Sequence, residues 1–120
     1  MADRELLELA AKAAGYKKYY SHYLGRDSFV TYEEAYYSDV KECQVTGEKT
    51  LDWNPLTDDG DALRLAVKLN LNVDLAYGDE CVVRVFNETH FFKESAANNA
   101  CAAARRAIVR AAAEIGKAMP

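Results

Sequence analysis

The stretch Leu71-Asn72-Val73-Asp74-Leu75-Ala76-Tyr77-Gly78-Asp79-Glu80-Cys81-Val82-Val83-Arg84-Val85-Phe86 decides the fold class. Leu71, Val73 and Leu75 alternate strictly with Asn72 and Asp74, the period of a strand with one wet face. Gly78-Asp79 supplies a turn, and Cys81 to Phe86 returns as a β-branched and aromatic run. The two runs read as an antiparallel hairpin.

Working outward, both flanks are helical. Upstream, residues 59–69 carry Ala62, Leu63, Leu65, Ala66, Val67 and Leu69, with only Asp61, Arg64 and Lys68 as a polar stripe. This helix is apolar nearly all round and is expected to be the most buried of three. Pro55 holds Asn54 out of the helical region, Thr57 or Asp58 stands where a cap belongs, and Asp59 and Asp61 suit the positive end of the helix dipole. Downstream, a loop over 87–95 ends at Ser95, a good cap for a last helix over about 96–117. Cys101, Ala104, Ile108, Ala111 or Ala112, Ile115 and Met119 recur there at helical spacing, with Arg106, Arg110 and Glu114 on the far side. Eleven alanines between 96 and 118 give this helix a thin side-chain layer, so its axis can lie close to whatever it covers.

The amino-terminal segment 3–14 forms the first helix, with Leu6, Ala10 and Ala13 on one face and Leu7, Leu9 and Ala14 widening it. Asp3 is the expected cap, Glu8 and Lys12 an i, i+4 pair, and Gly15 the left-handed stop. The following stretch holds seven of the eight tyrosines, together with Phe29, Val30 and Thr31. It is broken at Gly25-Arg26-Asp27 and reads as a second hairpin. Residues 38–52 are polar around Gly47, and periodicity decides nothing there.

Helices at both ends and in the middle, with short strands between, make an α+β chain. The expected architecture is an αβα sandwich, a mostly antiparallel sheet of short strands covered by three helices. At 120 residues the chain is the size of one domain, 1–120, with core blocks at 3–15, 53–75, 80–86 and 96–119 and a variable tyrosine-rich segment at 16–52. Fifteen Lys and Arg against nineteen Asp and Glu give a net charge of -4, which argues against a binder of duplex nucleic acid. No apolar run is long enough to span a bilayer. The start, Met1-Ala2-Asp3-Arg4-Glu5, lacks an apolar signal core, so a cytoplasmic protein is expected. Cys43, Cys81 and Cys101 are odd in number and form no C-x-x-C pair, against zinc or a disulfide framework. Cys81 and Cys101 are expected as small buried hydrophobes.

Two longer blocks carry a resemblance. Trp53-Asn54-Pro55-Leu56-Thr57-Asp58-Asp59-Gly60-Asp61-Ala62-Leu63-Arg64-Leu65-Ala66-Val67-Lys68-Leu69 resembles the signature of the phage ABA-sandwich domain family of small bacteriophage and prophage proteins. The run from Ala103 to Met119 resembles that family's closing helix, and Leu9 to Gly15 fits its opening. The resemblance implies the same sandwich fold and a phage-encoded accessory protein in the cytoplasm of an infected host, a setting in which small proteins often blunt host defences. It implies no catalytic residues. Caps and core faces account for nearly every residue of the first block.

Chemistry-bearing patterns are few. Asp58-Asp59-Gly60-Asp61 lacks the alternating acids, sixth-position Gly and twelfth-position Glu of a calcium loop, so no metal is expected. His22 and His90 are the only histidines, no G-x-S-x-G is present, and neither G-x-G-x-x-G nor G-x-x-x-x-G-K-[ST] cradles a phosphate. Neither catalysis nor a cofactor is implied. The best binding candidate is Tyr16, Lys17, Lys18, Tyr19, Tyr20, His22, Tyr23, Arg26, Tyr36 and Tyr37, where rings stack a base and cations hold phosphate. The competing reading puts these rings in the core or a dimer contact. Phe91-Phe92-Lys93 is a smaller candidate: two adjacent aromatics in a loop cannot both point inward, leaving one for a ligand or partner. The stripe Arg105, Arg106, Arg110 and Lys117 reads as a solvated face. The expected function is binding of a small nucleotide-type ligand. The alternatives are a protein–protein module (a homo-oligomer or an inhibitor of a host or defence protein) and, third, a small enzyme.

Overall fold

The computed structural model describes residues 2–21, 26–30, 53–75 and 81–120, in an α+β fold. In chain order the elements are α1 (Asp3–Ala14), β1 (Lys17–Ser21), β2 (Arg26–Val30), α2 (Asp59–Lys68), β3 (Asn72–Asp74), β4 (Val82–Phe86), β5 (Phe91–Ser95) and α3 (Ala100–Ala118). The chain divides into two compact units, one of residues 1–14 and 54–120, the other of residues 15–53. The tight turn expected at Gly78-Asp79 and the undecided stretch 38–52 lie outside the described residues.

In the smaller unit, β1 and β2 pair antiparallel with Lys17 opposite Val30 and Ser21 opposite Arg26. The expected hairpin is therefore present, with Arg26 and Asp27 inside its second strand. Tyr16 meets Trp53 edge to face, with centroids 5.2 Å apart and planes at 89°.

The larger unit is built on a three-stranded antiparallel sheet in the order β3-β4-β5. Val83 and Val85 of β4 are fully buried on one face, and α3 packs across β4 and β5 there. Helices α1 and α2 dock on α3. As a result α3 is the most buried helix, with Ala103, Ala107, Ile108, Val109, Ala111, Ala112, Ala113 and Gly116 out of water. This corrects the expectation for α2. Only Ala62, Leu65 and Ala66 of α2 are buried, and Leu63 and Val67 are 63% and 71% exposed. Apolar content measures what a helix can bury; the number of elements that reach it decides what it does bury.

The helix ends follow local chemistry. Asp58 caps α2, its Oδ2 accepting from the Asp61 N–H at 2.8 Å, while Asp61 Oδ2 accepts from the Asn54 N–H at 3.0 Å. These acids serve as caps and tertiary anchors. At the other end Asn70 takes φ +56°, its N–H reaching Val67 O and the Leu71 N–H reaching Ala66 O. That is a Schellman stop with asparagine in the left-handed position. Gly15 ends α1 at φ +79°, as expected. Asp3 is not the cap of α1 but its first helical residue. Glu8 pairs with Arg4, and Lys12 instead donates to Met119 O at 3.0 Å.

Two boundaries move. Residues 91–95 are a strand rather than a loop, and the Ala96 N–H continues its ladder to Cys81 O at 2.8 Å. The last helix therefore starts at Ala100, capped by Asn99 Oδ1 accepting from the Ala102 N–H at 3.0 Å. Cys81 and Cys101 are both exposed, against expectation: Cys81 sits in a left-handed turn at φ +55° and Cys101 in the first turn of α3, positions that face water whatever the residue type. Cys43 lies outside the described residues.

The arginines of the basic stripe are tied to neighbours rather than left solvated, while Lys117 is exposed as expected. Arg105 Nε donates to Leu56 O at 2.8 Å and its Nη1 to Asp59 Oδ1 at 2.6 Å, leaving the side chain 17% exposed. Arg106 pairs with Asp3 of α1 at 3.1 Å. Arg110 pairs with Glu94 of β5 rather than with Glu114 and lies 5.0 Å from the centre of the Phe92 ring. Each arginine ties α3 to a different neighbour.

Candidate functional site

The face of the sheet opposite α3 is where the chemistry-bearing side chains converge. Strand alternation sends Val83 and Val85 inward and Arg84 and Phe86 outward. Phe86 stands opposite Phe91, Arg84 opposite Lys93, Asn72 opposite Phe86, and Asp74 opposite Arg84. The outer face thus carries one row of Asn72, Phe86 and Phe91 and a second of Asp74, Arg84 and Lys93. Rows two residues apart on a strand are separated by roughly 6.5–7 Å.

The β4–β5 turn fixes the first row. Asn87 Oδ1 accepts from the Thr89 and His90 N–H groups at 2.9 and 2.8 Å, and the Asn87 N–H donates to His90 O at 3.0 Å. Glu88-Thr89 is left as a two-residue loop, so Phe86 and Phe91 are the first strand pair beyond it. Their rings stack with centroids 5.9 Å apart and planes at 27°. Phe91 is 56% exposed, so one ring of the stack presents a face to solvent.

The second row is electropositive. Arg84 and Lys93 are directly opposed cations, an arrangement that disfavours the sheet unless an anion compensates. Asp74 Oδ2 lies 3.5 Å from Arg84 Nη1. Lys93 has no ion-pair partner among the described residues, and its side chain faces water. An aromatic ledge beside a pair of opposed cations can stack a planar ring and hold an anionic group on the same ligand.

The sequence candidates are distributed as follows. Phe91 is on this face. Phe92, its neighbour, points the other way toward α3, between Arg110 and the His90 ring, whose centroid lies 6.5 Å away. Tyr16 is half-buried against Trp53. Lys17, Lys18, Tyr19 and Tyr20 follow along β1, opposite Val30, Phe29, Ser28 and Asp27, and Arg26 opens β2. His22, Tyr23, Tyr36 and Tyr37 lie outside the described residues. Sequence reading missed Phe86, Arg84 and Lys93 as a group. The signal was present in Val83-Arg84-Val85-Phe86, where alternation puts a cation and a ring on the wet side.

No helix among the described residues is long and apolar enough to cross a membrane. Comparison with known proteins returns no matching family model, no similar curated protein and no similar solved structure.

Proposed function

We propose that this protein works by binding, and that it takes a small nucleotide-type ligand on the open face of its sheet. The base stacks on Phe91 and the phosphate lies between Arg84 and Lys93, one strand row away. The observation that carries this reading is the 56% exposed Phe91 ring on the same sheet face as two directly opposed cations, Arg84 and Lys93. The resemblance of the Trp53–Leu69 and Ala103–Met119 blocks to phage ABA-sandwich proteins supports a setting for it. In that setting the protein is phage-encoded, acts in the host cytoplasm and removes a nucleotide signal used in defence. The tyrosine-rich segment read from the sequence, with Tyr19, Tyr20, Lys17, Lys18 and Arg26, is the competing candidate for the same ligand class.

A thermal-shift titration with a panel of linear and cyclic dinucleotides tests the reading. A ligand that binds only the folded state at a hundred times its Kd adds about 2.7 kcal/mol, a shift of roughly 10 °C for a chain of this size. Phe91→Ala is expected to weaken that ligand about 10–100-fold, matching about 1–3 kcal/mol for one stacked base. No shift across the panel at saturating concentrations refutes nucleotide binding. A shift kept by Phe91→Ala but lost in the Tyr19, Tyr20 and Tyr36 alanine variant moves the site to the tyrosine segment. Ligand recovered unchanged after incubation is expected; its time-dependent loss points to an enzyme.

A further inference from the structure

A second surface lies at the β5 edge of the same sheet, distinct from its open face. Among the described residues, β5 pairs only with β4, over five regular positions without a bulge. Which of its backbone groups are spoken for follows from two hydrogen bonds. The Ala96 N–H donates to Cys81 O and the Asn87 N–H to His90 O, so 81·96 and 87·90 are hydrogen-bonded pairs. Antiparallel ladders alternate, which makes 83·94 and 85·92 hydrogen-bonded and 82·95, 84·93 and 86·91 the open pairs. The N–H and C=O groups of Phe91, Lys93 and Ser95 therefore point away from the sheet. Lys93 O bears this out and is already engaged there by Arg110 Nη1 at 3.4 Å, which leaves the Lys93 N–H and the groups of Phe91 and Ser95 for a new strand.

Beside this edge lies an open cleft of about 260 Å³, lined by Leu6 of α1, Glu94 of β5 and Arg106 and Arg110 of α3. A strand edge flanked by a helix is the layout in which extended peptides add to a sheet, main-chain pairing giving affinity and side-chain pockets specificity. The cleft also indicates what the peptide carries. Arg106 already holds one carboxylate, that of Asp3, in a pair whose side chains are 42% and 67% exposed. Asp3 is the first residue of α1 and the more exposed partner, so a ligand carboxylate can take its position without unpacking anything. Arg110 is held by Glu94 and the Phe92 ring and stays in place.

The geometry points to the β5 edge and its cleft as a docking groove for an extended acidic peptide, which adds beside β5 as a fourth strand and sets an Asp, Glu or terminal carboxylate on Arg106. The occupant is a peptide segment of a partner protein. The groove is independent of the proposed nucleotide face, because it uses outward main-chain groups and Arg106 rather than the Phe91 ring.

The test uses a displayed library of random octapeptides on the full chain, followed by titration of the resynthesised winners. Enrichment of alternating β-branched residues with an acid at one fixed position is expected, with micromolar Kd. Ser95→Pro removes one outward N–H without taking a ladder bond and is expected to weaken binding at least 10-fold. Arg106→Gln is expected to weaken it similarly. Asp3→Asn frees Arg106 and is expected to tighten binding severalfold, an opposite sign that a merely structural role does not produce. Thermal melts and far-UV spectra of the three variants confirm that each is folded. The proposal is overturned by no enrichment, by winners without an acid, by Ser95→Pro leaving Kd unchanged, or by Asp3→Asn weakening binding. Self-association of the chain through β5, detected by sedimentation and abolished by Ser95→Pro, also overturns it in favour of a second copy as occupant.

Discussion

Gly116 of α3 is the position where one added methyl group should do most damage. A Cβ built there lies 2.0 Å from Leu9 O, 2.9 Å from Leu9 C and 3.3 Å from Ala13 N. A comfortable carbon–oxygen contact is about 3.3–3.6 Å, so α1 and α3 must separate by roughly 1.3 Å at this point. No side-chain rotation relieves the clash, because the obstacle is the backbone of α1. Separation also loosens the contacts of Leu6, Ala10, Ala11 and Ala14, all buried on α1. Gaps of 0.5–1 Å already forfeit about a quarter to a half of each dispersion contact. Two effects oppose each other. Alanine improves helix propensity by about 1 kcal/mol over glycine, while overpacking costs about 1–3 kcal/mol and more where backbone must move. With the clash this deep the second effect wins, and Gly116→Ala is expected to lose about 2–3 kcal/mol. At about 4 °C per kcal/mol for a chain of this length, Tm falls by roughly 8–12 °C. Thermal and urea unfolding followed by far-UV circular dichroism measure this directly. A Gly116→Ala protein as stable as the parent, or more so, shows that propensity decides and that the helices are not in backbone contact there.

Three further outcomes are expected. Asp58→Ala removes the acceptor for the Asp61 N–H and should cost about 1 kcal/mol, a loss that Asp58→Ser largely restores; equal urea midpoints for all three chains would show the cap idle. Arg105→Lys breaks the fork that reaches both Leu56 O and Asp59, and is expected to cost about 1–3 kcal/mol. Arg106→Gln removes a more exposed pair and should cost under about 1 kcal/mol, so the reverse order in chemical denaturation contradicts the clamp at Arg105. Phe92→Ala should destabilise by about 2–3 kcal/mol and Phe91→Ala by less than about 1 kcal/mol, because only Phe92 faces α3; similar Tm losses for both would place the two rings in equivalent surroundings.

Much of the fold was legible because its signals are local. Gly15 and Asp58 act where their types predict, and the alternation of Leu71–Leu75 and Cys81–Phe86 gives two of the three strands of the larger sheet. The alanine run of α3 anticipated an unusually close helix contact, although the glycine that sets it lies near the end of the run. What failed had distant causes. Phe91-Phe92 breaks the apolar–polar alternation, so β5 is visible only from its pairing with β4. The burial of α3 rather than α2 depends on how many elements dock on each. Arg105 finds Asp59 at 46 residues' separation and Arg106 finds Asp3 at 103, whereas helical spacing offered Arg110 only Glu114. The candidate site was half legible for the same reason: Phe91 and Lys93 stood together in the Phe91-Phe92-Lys93 run, but Phe86 and Arg84 join them only through cross-strand register.

The fate of the arginines bears directly on where an anion can be recruited. A helix faced with alanine buries little area per residue, so α3 gains less from each side chain than a leucine-rich helix would. Its rim compensates, with Arg105 reaching the start of α2, Arg106 the start of α1 and Arg110 strand β5. A residue engaged in that way is a poor phosphate ligand, because phosphate must first displace a carboxylate. Arg105 and Arg110 are therefore unavailable, and Arg106 becomes available only when something replaces Asp3. On the open sheet face the balance is reversed. Arg84 and Lys93 oppose one another across β4 and β5, so an arriving anion relieves a repulsion between them. The arginines of the prominent basic stripe hold the fold together, and the two cations scattered among the strands are the ones the proposed nucleotide site draws on.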